Sequence, residues 1–294
     1  MRRVARNELQ AFALALQFLT RLPGPADDAF SPERLAASVR YYPLVGALIG
    51  GLCAAVFWPA NLVLPAAVAV ILAVAVGLAI TGALHEDGLA DTFDGIGIAA
   101  GRRGSPGTGE SAGKHAGDTP RGSADGHPGE PGRTHRHRML EVMRDSRLGT
   151  FGAIALVIAL ALKVATLASL APIAVCLALI AGHGLSRLSC IAVMQTSAYV
   201  RTAGIATPLA NRLEFGSWLV ILVTGLLVVA GLFRTLGPPA TILALAGLIA
   251  GHALMRLCFE RKLGGYTGDT LGAVQQASEV GLYLGVCAGA GAWA

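Results

Sequence analysis

Charge is scarce in this chain. Only 14% of its 294 residues are charged and 6% are aromatic, whereas hydrophobic residues make up 54% and mean hydropathy is +0.60. Soluble domains usually carry about 25% charged residues, so an ordinary water-soluble fold is disfavoured from the outset. Cysteine is sparse too. Cys53, Cys176, Cys190, Cys258 and Cys287 form no CxxC pair, and each falls inside an apolar stretch. That pattern argues against structural disulfides and zinc and fits small apolar packing residues. No basic domain stands clear of the apolar runs, so the net charge of +5 gives little support to nucleic-acid binding.

Long hydrophobic runs are abundant. They lie near 43–59, 62–83, 151–171, 173–194, 216–233, 240–258 and 278–294, and each approaches the ~17–25 residues needed to cross a bilayer. The expectation is an all-α, polytopic membrane helix bundle of about seven spans in one domain covering 1–294. The N-terminus, MRRVARNELQAFALALQFLTRLPGP, has basic residues before an apolar stretch, as a signal peptide does. It contains Gln17 and ends in TRLPGP instead of a small-residue cleavage site; a retained amphipathic helix, interfacial or half-buried, is expected.

Basic residues set the orientation. With the N-terminus cytoplasmic, the inside segments are 1–42, 84–150, 195–215 and 259–277. All but four of the 23 Lys and Arg fall there, the exceptions being Lys163, Arg187, Arg234 and Arg256. Positive-inside asymmetry of that strength puts the net charge on one membrane face, the cytoplasmic one. Residues 101–137 stand apart, rich in Gly, Pro, Ser and charge without apolar periodicity. Such a composition does not bury enough surface to offset its ordering entropy, so a disordered, dispensable cytoplasmic insertion is expected. His115, His127, His135 and His137 within it are read as solvated.

The chemistry concentrates where a charge-free run ends. After 62–83 comes LHEDGLADTFDG, which places Glu86, Asp87, Asp91 and Asp94 within nine residues. In a helix continuing from Leu84, Asp87, Asp91 and Asp94 share one face, and Glu86 points about 100° away. Three carboxylates on one stripe repel each other unless a cation lies between them. Hard oxygen ligands suit Mg²⁺, which completes its shell with water and substrate phosphate. A solvated helix cap is the other reading, but acids at a helix C-terminus oppose its dipole. Gly88 and Gly95 are expected to give a bulky substrate room.

Two further clusters lie on the same face. RDSRLGTFG offers Arg144, Ser146 and Arg147, a guanidinium pair suited to phosphate oxygens; ordinary positive-inside anchoring explains such a pair equally well. KLGGYTGDTLGA offers Gly264, Gly265, Thr267, Gly268 and Asp269, a Gly-rich loop whose amides could cradle phosphate. Two spans share an echo, AGHGLSRL at 181–188 and AGHALMRL at 250–257, with His183 and Arg187 matching His252 and Arg256. Lys163, near mid-span, is expected to pair with an acid or to snorkel.

Taken in order, these blocks resemble a known family. HEDGLADTFDG is similar to the H-x-D-G-x-x-D-x-x-D-G signature of the cobalamin synthase (adenosylcobinamide-GDP ribazoletransferase) family. QFLTRLP, YYPLVGALIGG, MRDSRLGTFG and KLGGYTGDTLGA resemble its other blocks. The likeness spans the chain except 101–137.

The resemblance implies a multi-pass inner-membrane enzyme of cobalamin biosynthesis with its active site cytoplasmic. It would join adenosylcobinamide-GDP to α-ribazole, or its 5′-phosphate, giving adenosylcobalamin, or its phosphate, and GMP. Mg²⁺ is the implied cofactor, with Asp87, Asp91 and Asp94 as its ligands and one of them or His85 as proton acceptor. Arg144, Ser146, Arg147 and the Gly264–Asp269 loop would hold phosphate. Two other readings stay open on the residues alone. One is a CDP-alcohol-phosphotransferase-like membrane enzyme, and the other a cation-coupled transporter.

Overall fold

The structure is a computed structural model, described here for residues 2–23, 31–101, 131–145, 147–201 and 213–291. Its helices are α1 (Arg2–Leu19), α2 (Pro32–Ser38), α3 (Tyr42–Val63), α4 (Ala66–Thr81), α5 (Leu84–Gly101), α6 (Pro131–Val142), α7 (Thr150–Ala168), α8 (Pro172–Thr196), α9 (Phe215–Leu263) and α10 (Gly268–Gly289). No strand occurs among the described residues; a lone parallel bridge joins Tyr199 and Tyr266. The all-α expectation holds.

Among the described residues, four helical stretches are each long and apolar enough to cross a membrane, or five if the bent α4–α5 pair counts as one span. The expected seven is not reached by that measure. Residues 215–263, expected as two spans, are two helical arms of α9 that meet at non-helical backbone at Gly237 (φ 79°, ψ 174°), just before Pro238 and Pro239. At 1.5 Å per residue an unbroken helix of that length would far exceed a ~30 Å hydrocarbon core, so the kink divides it into two arms. The last expected span, α10, carries Gln275, Gln276, Ser278 and Glu279 and falls outside the apolar set.

Large apolar side chains are exposed along the bundle, among them Leu62, Val63, Ile71, Val157, Leu226, Leu227, Ile249 and Leu254. A water-soluble protein does not leave so many in the open. Lipid is their solvent, and the chain is a membrane protein.

Inside the bundle, small residues let backbones meet. Gly247 and Gly251 of α9 lie against Gly281 and Ala277 of α10, and a Cβ at any of the three glycines would strike the facing backbone. Helix association in lipid relies on such close contact, because tails are as apolar as leucine. The amphipathic α1 buries Ala11, Leu14, Ala15 and Leu19. Glu8 ties it to the turn before α3, accepting hydrogen bonds from Arg40 (3.0 Å) and Tyr41 (2.5 Å).

One end of the bundle collects the connections. The amide of Arg21 bonds the carbonyl of Ile80, Arg201 donates to the carbonyl of Met143, and Tyr266 and Val200 join the segments after α8 and α9. Parts of segments 1–42, 84–150, 195–215 and 259–277, grouped on one side by their charge, come together: Leu19, Leu84, Tyr199, Arg201 and Asp269 line one cavity. Residues 131–137, expected to be disordered, form the first part of α6, whose Met139 is buried with Met143 against Gly95 of α5. The rest of that insertion, with His115 and His127, lies outside the described residues. His137 pairs with Glu141 on the exposed face of α6 (3.4 Å).

Candidate active site

The acids do not sit at the end of the apolar helix that precedes them. Gly82 (φ 65°) ends α4 in the left-handed region, its amide bonding Leu78, and Ala83 (φ 57°) follows in the same region. The chain turns by 87° and starts a new helix at Leu84. Glu86 and Asp87 therefore occupy a first turn, where the helix dipole favours carboxylates. The dipole argument against a cap is thereby overturned: the sequence hid a helix start inside an apparent continuation.

The aspartate stripe is present, and its members differ in situation. Asp87 is exposed and Asp91 half-buried, and neither accepts a hydrogen bond from a described residue. Asp91 lies within electrostatic reach of Asp269, Asp87 and Asp94. Asp94 is buried, and its two oxygens accept the amides of Gly149 (2.7 Å) and Gly152 (2.8 Å), capping the start of α7. A Cβ on either glycine would collide with that carboxylate, which accounts for the glycines of RLGTFG. No three His, Cys, Asp or Glu side chains among the described residues come close enough to hold a metal by themselves. Of the three aspartates of the stripe, Asp94 is engaged with α7 and the other two are not.

The glycines beside the stripe also differ from expectation. Gly88 packs on the backbone of Asp269, Gly272 on that of His85, and Gly95 on Met139 and Met143. They bring α5 against α10 and α6, and the room they leave is filled by protein.

That α5–α10 contact forms one wall of a cavity of about 470 Å³. Its polar lining includes His85, Asp87, Arg187, Arg201 and Asp269, and its apolar lining Phe18, Leu19, Tyr42, Met194 and Tyr199. Arg201 donates to Asp269 (2.6 Å) and the carbonyl of Met143 (3.3 Å), linking the loop after α8 to α10. The Gly-rich loop is largely committed to its own structure. Gly264 (φ 72°) caps α9, and Gly265 makes room for the carbonyl of Ala198. Tyr266 bonds that carbonyl (2.9 Å), and Thr267 forms a capping box with Thr270. Gly268 and Asp269, which open α10, line the cavity.

The arginine pair falls elsewhere. Arg144 and Arg147 are exposed, and Arg147 is bidentate on Asp145, with its Nη2 2.6 Å from Oδ2. That guanidinium holds the Asp145 carboxyl below the usual carboxylate range. Ser146 lies outside the described residues.

Behind the cavity is a buried polar network. Lys163 meets Glu279 (2.9 Å) and Glu86 (3.5 Å), which fulfils the pairing expectation. Glu279 also accepts from Gln275 (2.5 Å) and Tyr283 (3.0 Å), and Gln276 donates to Glu86 (2.8 Å). Glu86 does point away from the aspartate stripe, but into this network. The two His–Arg echoes part company here. His183 approaches Glu279 (3.8 Å) in the interior, whereas Arg256 pairs with Glu260 (3.0 Å) near Ser197. Sequence reasoning missed Glu279, Gln275 and Gln276, although a glutamate four residues after a glutamine in an apolar run is a signal. Arg201, one arginine in a loop, gave none.

A bundle of apolar helices with an acid-lined, partly aromatic cavity is a polytopic membrane protein with a pocket of mixed polar and aromatic lining. A model of the cobalamin-5-phosphate synthase family matches residues 11–105 and 122–287. Proteins named adenosylcobinamide-GDP ribazoletransferase are similar over nearly the whole chain. That of Leptothrix cholodnii is 38% identical, over 96% of this chain and 97% of its own length. Those of Shewanella frigidimarina and Shewanella amazonensis are 36% and 37% identical, over 96% and 95% of this chain and 95% of each relative. No solved structure gives a significant match. The chain belongs to the cobalamin-5-phosphate synthase family.

Proposed function

We propose that the chain transfers the adenosylcobinamide-phosphate group of adenosylcobinamide-GDP to α-ribazole or its 5′-phosphate, releasing GMP, at the cytoplasmic face of the inner membrane. The observation that carries this reading is the cavity. It brings His85, Asp87 and the Arg201–Asp269 pair together with Phe18, Tyr42 and Tyr199 in one lining, in a chain similar throughout to proteins of that name. A corrinoid nucleotide has both characters, a broad apolar ring system and a charged diphosphate. The cytoplasmic assignment rests on the distribution of Lys and Arg.

Two carboxylates without a hydrogen-bond partner among the described residues, Asp87 and Asp91, fit a Mg²⁺ ion shared with a substrate phosphate, since this ion commonly takes one or two carboxylates and leaves its other positions to water and phosphate. When bound it would neutralise charge on the diphosphate. His85, buried at the cavity wall, would accept the proton of the attacking ribose hydroxyl, which is not the 5′ one, since α-ribazole 5′-phosphate already carries its phosphate there. Arg201 orients toward the same space while anchored by Asp269, and the aromatic wall excludes water from the apolar part of the substrate.

The test is purified protein in liposomes with adenosylcobinamide-GDP, α-ribazole and Mg²⁺. GMP and a corrinoid product should appear together, chelation should stop turnover, and added Mg²⁺ should restore it. Folded protein that yields neither product overturns the reading.

A further inference from the structure

Arg187 is the most deeply buried arginine described, 1% exposed on the inner face of α8. One guanidinium nitrogen, Nη1, donates to the carbonyl of His183 on its own helix. Its Nε is buried and has no partner, and no carboxylate among the described residues lies within ion-pair distance of it. Glu279 acts on it electrostatically but is already bonded to Lys163, Gln275 and Tyr283. The stem is held in place by α3, where a Cβ at Gly46 would strike the Arg187 side chain.

A guanidinium is always charged. Burying it without a counter-ion is costly, and a residue serving only to pack the bundle would be better replaced by an apolar one. No described residue supplies the missing partner, which leaves the place open to a ligand. Arg187 lines the large cavity together with Asp87 and Asp269, and its planar donor fork suits phosphate oxygens.

We propose that Arg187 is a substrate-binding residue that receives a phosphoryl group in the cavity, whose oxygens supply the charge pairing that no described residue gives it. This rests on the proposed transfer reaction. The phosphoryl group belongs either to the diphosphate of adenosylcobinamide-GDP or to α-ribazole 5′-phosphate, and the kinetics separate the two.

Wild-type protein is assayed first; a folded wild type without turnover tells against the reaction itself, not against this assignment. Given turnover, Arg187→Met should raise KM about tenfold or more, as expected for loss of hydrogen bonds from a charged donor. The rise should appear for adenosylcobinamide-GDP if the diphosphate is bound. It should appear for α-ribazole 5′-phosphate and not for α-ribazole if the monophosphate is bound. The melting temperature in detergent should hold or increase, since an unpaired buried charge is removed. Unchanged KM for all three substrates overturns the proposal. Should the Met variant fail to fold, Arg187→Lys decides. It keeps the charge in the same space and loses the fork, so KM should rise about threefold or more, and wild-type KM overturns the proposal.

Discussion

Asp87 and Asp94 share a helix face, yet one opens to a cavity and the other is locked to a neighbouring helix. Their substitutions should therefore separate activity from stability. Asp94→Asn halves the acceptor that holds two amides and removes its charge; it should cost about 1–2 kcal/mol, the scale of a lost helix cap, read as a lower melting temperature in detergent. Asp87→Asn and Asp91→Asn should leave that temperature near wild type and cut GMP release by orders of magnitude. Loss of activity at equal cost in stability for all three would mean that they act as one ligand set. Glu86→Gln, mild if the side chain faced solvent, should instead be destabilising, because Lys163 would lose one of its two carboxylates inside the bundle. Arg147→Lys should be near neutral in both assays, since the arginine is exposed and satisfied by Asp145. The stripe itself was readable from spacing. What each carboxylate touches was not, because Gly149 and Asp269 come from distant parts of the chain.

Among the helices, α5 carries the consequences. Its start was concealed because TGALHE offers no proline or polar cap, and the break rests on left-handed backbone at Gly82 and Ala83. Its contact with α10 depends on Gly88 lying on the Asp269 backbone. Gly88→Ala should force the two helices apart and displace Asp87 from the Arg201–Asp269 pair. Turnover should fall at least tenfold although no polar group is lost, and Gly95→Ala, facing the flexible Met143, should be milder. Equal activity for both variants would show that the α5–α10 spacing is not critical. Length and hydropathy were enough to locate α3, α4, α7, α8 and both arms of α9. They misjudged α10, whose polar residues are satisfied by other helices instead of by water.

At the scale of the whole chain, the family match skips 106–121, inside the segment of biased composition. Deleting those residues should leave GMP release and membrane insertion intact. A longer deletion reaching 134 should not, because it cuts into α6, which seats Met139 against the acid-bearing helix. A reporter placed within 106–121 should read cytoplasmic and one at the Gly237 kink external; the reverse would put the cavity on the wrong side of the membrane for a cytoplasmic nucleotide.

The distance in sequence between site partners also sets an order of events during synthesis. Asp94 leaves the ribosome 55 residues before the first amide it will cap. Asp87 waits longer still for Asp269 and the last helix. A nascent chain released before α10 would hold its acid stripe in the membrane edge with one wall of the pocket missing. Ribosomes that stall late would thus leave inert chains and no partly active ones, and the pool of corrinoid nucleotide would be met only by finished molecules.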